Sequence, residues 1–276
     1  MKGKVVIFAK DSEKAINTAA GIKEFLLSEG YRVITLINKA GRTPSRVNLK
    51  DCLLIVVVGG DGTFLAGARL GAKFSVPLVG VNEGKFGFLT EVDSADARTV
   101  IKDALKGRLR KHRRMMLSTF LKRKGKIKFL GDYLNDVVVA KSALARMVKL
   151  DVHAGREFMV RVYGDGVIVS TPTGSTAYAL SAGGPIIYPD SENFLVVPIC
   201  PHTLSNRPMV LPSSFSIEIV VGSQDRASFL TMDGQKGMYM LHNDKIEIRK
   251  SRRFCEIYVH PERGFFEILR TKLKWG

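Results

Sequence analysis

Apolar positions along this chain follow two different spacings, and the change between them divides it. Residues 5–9 are continuously apolar and read as a buried strand, after which Ala15, Ile16, Ala19, Ala20, Ile22, Phe25 and Leu26 recur at helical spacing until Gly30. Residues 31–37 form a second strand pattern, 53–58 a third, and 76–81 a further one. The segments 64–72 and 94–105 have helical periodicity, with Thr63 as the expected N-cap of the first. Strand and helix alternation of this kind predicts a parallel, doubly wound α/β domain.

From about Met115 the period becomes two. Short alternating runs at 117–121, 126–129, 136–140, 149–152, 158–163 and 167–170 continue at 215–221, 227–232, 245–249 and 255–259. The expected organisation is an α/β domain over residues 1–112 and a β-rich domain over 113–263. The closing segment, 264–276, is expected to fold back on the first domain.

The third strand ends abruptly in Gly59-Gly60-Asp61-Gly62-Thr63. Glycines without a Cβ let an anion approach bare backbone N–H groups. The carboxyl edge of an open α/β sheet is where ligands bind. No Lys-Ser or Lys-Thr follows at the Walker A spacing, so this is not a P-loop. Taken alone, the turn is equally compatible with a tight bend in which Asp61 caps a helix. The segment 82–89, with Gly84 and Gly87 beside aromatic residues, is expected to be a loop packed over the same edge.

Composition changes the picture little. Of 276 residues, 45% are hydrophobic and 25% charged, which suits a globular domain protein. No apolar run approaches the roughly 18 residues that span a bilayer, and the opening residues lack a signal-peptide core, so a cytoplasmic protein without membrane partners is expected. Cys52, Cys200 and Cys255 lack metal-ligand spacing and are expected to be small buried hydrophobes in a reducing compartment.

Charge adds more. The net charge of +17 implies either an anionic partner or a means of staying soluble, without deciding between them. Residues 106–128 hold many basic side chains and no acidic one. No RNP, zinc-finger or helix-turn-helix pattern accompanies them, so no specific nucleic-acid partner is expected.

Candidate chemistry also gathers in the second half. Thr171, Thr173, Ser175 and Thr176 surround Pro172 and Gly174, just after an apolar run, and small donors beside open backbone suit ribose and phosphate oxygens. Asp165, between two glycines, is either a sugar- or amine-binding acceptor or a turn residue. Asn135 and Asp136 supply an amide and a carboxylate that would point to opposite faces of a strand, so one must sit at a strand end to share a ligand.

Together these pieces resemble the NAD kinases: Gly59-Gly60-Asp61-Gly62-Thr63, Gly80-Val81-Asn82, Phe86-Gly87-Phe88-Leu89-Thr90, Leu134-Asn135-Asp136, Asp165-Gly166, the 170–178 run, Pro201-His202 and Pro208-Met209-Val210, in one order from about Val5 to the end. The glycine turn alone is shared with lipid kinases and phosphofructokinases; the 170–178 run is more specific. The resemblance implies phosphoryl transfer from ATP to the 2′-hydroxyl of the adenosine ribose of NAD, with Asp61 as general base. It implies dinucleotide contacts from Asp61, Gly62, Asn135, Asp136, Arg146, Asp165, Thr176, Ala177, Tyr178, Ser181 and Gln235, and places Gly59, Gly60 and Thr63 beside the donor phosphates. It further implies a divalent ion, magnesium, carried by the nucleotide with no protein metal site, and a homodimer or homotetramer. Asp136 stands where the family commonly has Glu, and Ala66 and Tyr163 where basic residues are common. Arg69, Lys85, Arg146 or Arg161 would then neutralise donor charge.

Overall fold

The computed structural model describes residues 2–39, 47–84, 86–143, 147–203 and 205–274. The chain divides into two compact units, one of residues 1–113 with 254–276 and the other of residues 114–253.

The first unit is built on a parallel sheet. Strand β1 (Lys2–Lys10) is followed by α1 (Glu13–Ser28), β2 (Tyr31–Asn38), β3 (Cys52–Val58), α2 (Asp61–Phe74), β4 (Leu78–Val81) and α3 (Ala97–Leu105). The strands lie in the order β2-β1-β3-β4, all parallel. The period of two sorts the strand residues onto two faces. Val5, Ile7, Ala9, Leu54, Val56, Val58, Val79 and Val81 pack with the apolar faces of α1 and α3. On the other face Gly67 of α2 lies against Val57, Leu78 and Phe8. Burial on both faces explains why these strands read as unbroken apolar runs. Helices on both sides make the unit doubly wound, as the periodicity predicts.

Two helix starts differ from the sequence reading. Helix α2 begins at Asp61, with Gly60 as its N-cap and no side-chain cap. Thr63 is therefore not the cap; its N–H already bonds to the Gly60 carbonyl inside the first turn, and the residue is buried. Helix α3 begins at Ala97 rather than at 94. By contrast, Ser12 caps α1 by accepting from the Ala15 N–H.

The second unit is antiparallel. Strands β5 (Lys111–Arg123), β6 (Lys126–Tyr133), β7 (Asp136–Lys141), β8 (Val148–Ala154), β9 (Glu157–Gly164) and β10 (Gly166–Ser170) precede a 3-10 turn, Thr173–Thr176, and a one-turn helix α4 (Tyr178–Ser181). Then come β11 (Asn193–Ile199), β12 (Met209–Pro212), β13 (Ile217–Val221), β14 (Ser228–Met232), β15 (Lys236–Tyr239) and β16 (Lys245–Tyr258). One sheet has the order β12-β11-β10-β7-β14-β15. Its residues Val137, Val139, Val167, Val169, Phe194, Val196 and Leu230 form the main core with Val148, Leu150, Val152, Ile217, Ile219, Ile246 and Ile248 of β8, β13 and β16. Its opposite face packs Val138, Ile168, Leu195 and Val197 against Ala179 of α4.

Strand β16 absorbs two runs that the sequence separates at its basic residues 250–253. Those residues stay in the strand because carboxylates receive them: Lys250 pairs with Glu192, and Ser251 and Arg253 donate to Asp132. From Phe254 onward the strand clusters with the first unit, where Ile257 and Tyr258 pair in parallel with Leu78 and Val79. The last helix, α5 (Phe265–Leu273), belongs to that unit too. Trp275 lies outside the described residues. Among the described residues no helix is long and apolar enough to cross a membrane. Cys255 is buried and Cys52 half-buried, whereas Cys200 lies exposed.

Candidate active site

The strand-end turn is shaped by contact as well as by flexibility. Gly59 has φ +151°, and its N–H bonds to the Val81 carbonyl at 2.9 Å. A Cβ there would lie 2.8 Å from Thr63 Oγ1 and 3.1 Å from Lys10 Cβ. Gly60 has open space around it, and Gly62 is exposed.

Asp61, half-buried, is the first residue of α2. Its Oδ2 accepts from the Phe88 N–H at 3.0 Å, and its Oδ1 from the Leu89 N–H at 3.0 Å and the Thr90 hydroxyl at 3.3 Å. The side chain thus collects donors from the loop that follows β4. That loop is held from behind. Asn82 Nδ2 donates to the Thr90 carbonyl and to Asp93 Oδ1. Arg263 donates to the Glu91 carbonyl and to Asp93 Oδ2, both at 2.8 Å, and lies over the Phe86 ring. The Asn82 amide and then the Arg263 guanidinium hold the Asp93 carboxyl below the usual carboxylate range. A Cβ at Gly87 would collide with Asp61 Oδ1 and Thr90 Oγ1.

In the second unit, Asn135 immediately precedes β7 and Asp136 is its first residue. Gly174 packs against the Asn135 backbone so closely that a Cβ would overlap its carbonyl. Most hydroxyls of the 170–176 run are consumed inside the protein. Ser170 Oγ donates to the Asn135 and Thr171 carbonyls, Thr171 Oγ1 to the Leu134 carbonyl, and Ser175 Oγ to the Pro172 carbonyl. Thr176 Oγ1 donates to the Thr173 carbonyl at 3.3 Å. Two polar atoms at this end are different: Asn135 Oδ1 and Thr173 Oγ1 are buried with no hydrogen-bond partner among the described residues.

Gln235 sits half-buried in the turn after β14, next to Asp233, whose carboxylate bonds to the backbone at Asn135. Ala177 joins the 3-10 turn to α4, which Tyr178 begins and Ser181 ends, both exposed. These residues therefore gather at one end of β7 and β10. Asp165 does not join them. It precedes Gly166 at the other end of β10, about 16 Å along the strand from Ser170, and pairs with Lys141 at 2.9 Å.

Of the cations considered for donor charge, Arg161 is occupied by Asp151, at 2.6 and 2.9 Å. Arg69 is half-buried two turns along α2. Lys85 and Arg146 lie outside the described residues. Among the described residues no group of three or more His, Cys, Asp or Glu side chains could hold a metal ion.

Asp233 escaped the sequence reading. Its carboxylate accepts from the N–H groups of Leu134, Asn135 and Asp136 at 3.2, 2.8 and 3.3 Å. Asp233-Gly234, both at left-handed φ, makes the β14–β15 hairpin turn, and an Asp-Gly pair after an apolar run is the signal that would have found it. Burial, and then the nearby Asp233 charge, push the Asp136 carboxyl up to about 7.

Comparison with known proteins shows which family the chain belongs to. Residues 42–109 match the family model described as ATP-NAD kinase N-terminal domain, and residues 134–259 the ATP-NAD kinase C-terminal domain. An NAD kinase of Aquifex aeolicus (strain VF5) is 47% identical over 273 residues, covering 99% of each chain. The chain belongs to the NAD kinase family. An NAD kinase of Geotalea daltonii is 40% identical over 280 residues, again covering 99% of each. Two solved structures share the fold at 24% identity. One is a yeast NADH kinase complexed with NADH, with TM-score 0.87, covering 100% of this chain and 88% of that one. The other is an NAD kinase from Archaeoglobus fulgidus in complex with ATP, with TM-score 0.76, covering 98% and 97%. The match to the N-terminal domain contains the Asp61 turn, and the match to the C-terminal domain contains the Asn135–Asp136 strand end.

The raised Asp136 carboxyl gives a signed prediction. An unfolded Asp ionises near pH 4, so the folded state takes up a proton between about pH 4 and 7. Stability from this group is full below about 4 and is lost as pH rises through about 7. Asp136→Asn, uncharged throughout, should raise the unfolding midpoint relative to wild type at pH 8, with the gain shrinking toward pH 5. One pKa unit is worth about 1.4 kcal/mol, which sets a ceiling of about 4 kcal/mol. Thermal unfolding of both proteins across this range checks it; a pH-independent difference would refute the assignment.

Proposed function

We propose that this chain transfers the terminal phosphoryl group of ATP to the 2′-hydroxyl of the adenosine ribose of NAD, producing NADP. The observation that carries the reading is the state of the Asp61 carboxylate. A carboxylate has about four lone-pair sites, and the 88–90 loop occupies two on Oδ1 and one on Oδ2. The second lone pair of Oδ2 is where a substrate hydroxyl would bond. A carboxylate is far too weak a base to remove a ribose proton early, so proton transfer comes late in a loose phosphoryl-transfer transition state. Asp61 then acts mainly by orienting the hydroxyl and afterwards receiving its proton.

In this reading Gly59, Gly60 and Thr63 border the donor phosphates, and Gly62, Asn135, Asp136, Arg146, Thr176, Ala177, Tyr178, Ser181 and Gln235 contact the dinucleotide. The unpartnered Asn135 Oδ1 and Thr173 Oγ1 support it, because buried polar atoms are ordinarily bonded and NAD offers an adenine amino group and ribose hydroxyls. Asp165, at the far end of β10, would meet a part of the dinucleotide remote from these. Magnesium enters as part of the ATP substrate. The enzyme works in the cytoplasm as a homodimer or homotetramer.

Incubation with NAD, ATP and a magnesium salt should yield a dinucleotide accepted by an NADP-specific dehydrogenase, with its new phosphorus resonance on the 2′ carbon. Omitting magnesium should abolish the reaction, because the donor's charge is otherwise unneutralised. A lipid or sugar phosphorylated efficiently with NAD untouched would overturn the reading.

Asp61→Asn should lower kcat by at least about 10²-fold while NAD and ATP still bind. It should also cost about 1–3 kcal/mol of stability, since the new NH₂ opposes backbone N–H donors of the loop. Steady-state kinetics with near-normal turnover in the folded variant would remove Asp61 from the mechanism.

A further inference from the structure

We infer that Asp233 is a positioning residue for the acceptor dinucleotide, acting through the backbone of Leu134, Asn135 and Asp136. The inference rests on the proposed NAD kinase activity and adds to it a residue that touches no substrate. Asp233 is 6% exposed. Its Oδ1 accepts from Asn135 N at 2.8 Å and Asp136 N at 3.3 Å, and its Oδ2 from Leu134 N at 3.2 Å. The backbone reciprocates: Asp233 N donates to the Asp136 carbonyl at 2.9 Å. Three consecutive N–H groups converging on one carboxylate cannot belong to an extended strand, where successive N–H groups point to opposite edges. Asp233 therefore holds a local kink just before β7, and the kink sets the directions of the Asn135 and Asp136 side chains.

The cost of this arrangement supports the inference. Asp233 has φ +51°, a conformation that a non-glycine side chain adopts at a penalty and that Asp tolerates better than most. Its charge is also buried beside the Asp136 carboxyl, whose ionisation it opposes, in a place where an uncharged turn would suffice for a hairpin. A hairpin turn alone needs neither the carboxylate nor the repulsion. What the carboxylate adds is the fixed direction of Asn135, whose buried Oδ1 has no partner among the described residues.

The test is kinetic. Asp233→Asn keeps tolerance for left-handed φ but turns an NH₂ toward at least one of the three N–H groups. Asp233→Gly keeps the backbone and removes the acceptors; it is measured in the same way and serves if the Asn variant does not fold. In each folded variant the KM for NAD should rise about 10- to 100-fold, as expected for a misplacement of about 1 Å in a binding group. The KM for ATP should stay within about twofold and kcat at saturating NAD within about fivefold, the pattern of lost uniform binding. Calorimetric NAD binding should weaken in parallel. A folded variant with an unchanged KM for NAD, or with both KM values raised together, would overturn the inference. The wild-type control separates the two levels: failure to phosphorylate NAD at all would defeat the functional reading, whereas an active wild type with unaltered variants defeats the role of Asp233 alone.

Discussion

The structure of the glycine turn at residues 59–63 depends on one interaction, the capture of the Asp61 carboxylate by the Phe88 and Leu89 amides and the Thr90 hydroxyl. Asp61 begins a helix whose N-cap is a glycine, so no side chain at the cap fixes the helix entry. The loop supplies that restraint instead. It can approach only because Gly87 and Gly80 have no Cβ: at Gly87 one would strike Asp61 itself, and at Gly80 the Leu89 carbonyl and the Phe64 ring. Behind the loop, Asn82, Asp93 and Arg263 form a further polar layer. A residue near the carboxyl end of the chain thereby takes part in placing a carboxylate at position 61.

The second unit uses the same device. There Asp233 collects three backbone amides and fixes the strand end that carries Asn135 and Asp136. In both places a buried or half-buried carboxylate satisfies N–H groups that have no ladder partner, which is what makes irregular backbone tolerable next to a core. The strong positive charge of the chain is in part internal to this economy of pairing. Within the basic stretch, Arg108 pairs with Asp103, Lys111 with Glu256, Arg114 with Asp190, Lys122 with Glu218 and Glu247, and Arg123 with Asp244. The pairs of Lys111, Arg114, Lys122 and Arg123 hold strand residues, whereas that of Arg108 reaches back to α3.

Hydrophobic period made the doubly wound sheet and most strands of the second unit legible, because burial on two faces and on one face leave different patterns. It failed where local chemistry ran against the period. Pro198 hides β11 inside an apolar run, since proline argues against a strand. The basic residues of β16 look like a break until Asp132 and Glu192 are seen to receive them. At the site, residue types were legible but their employment was not. Thr171 and Ser175 look like ligand donors and in fact bond to backbone carbonyls, while Thr173 beside them does not. Such sorting depends on which backbone groups the turn leaves unpaired, and no spacing rule encodes it.

If the loop's grip on Asp61 governs the chemistry, the most direct measurement is the turnover of Gly87→Ala. The added methyl would press on Asp61 Oδ1 and Thr90 Oγ1 without changing either residue. Displacement of a reacting group by about 1 Å can cost about 10²-fold in rate. The account predicts a folded protein with a kcat lowered by about that factor and a KM for NAD close to wild type. A folded Gly87→Ala protein that turns over within about twofold of wild type would contradict it.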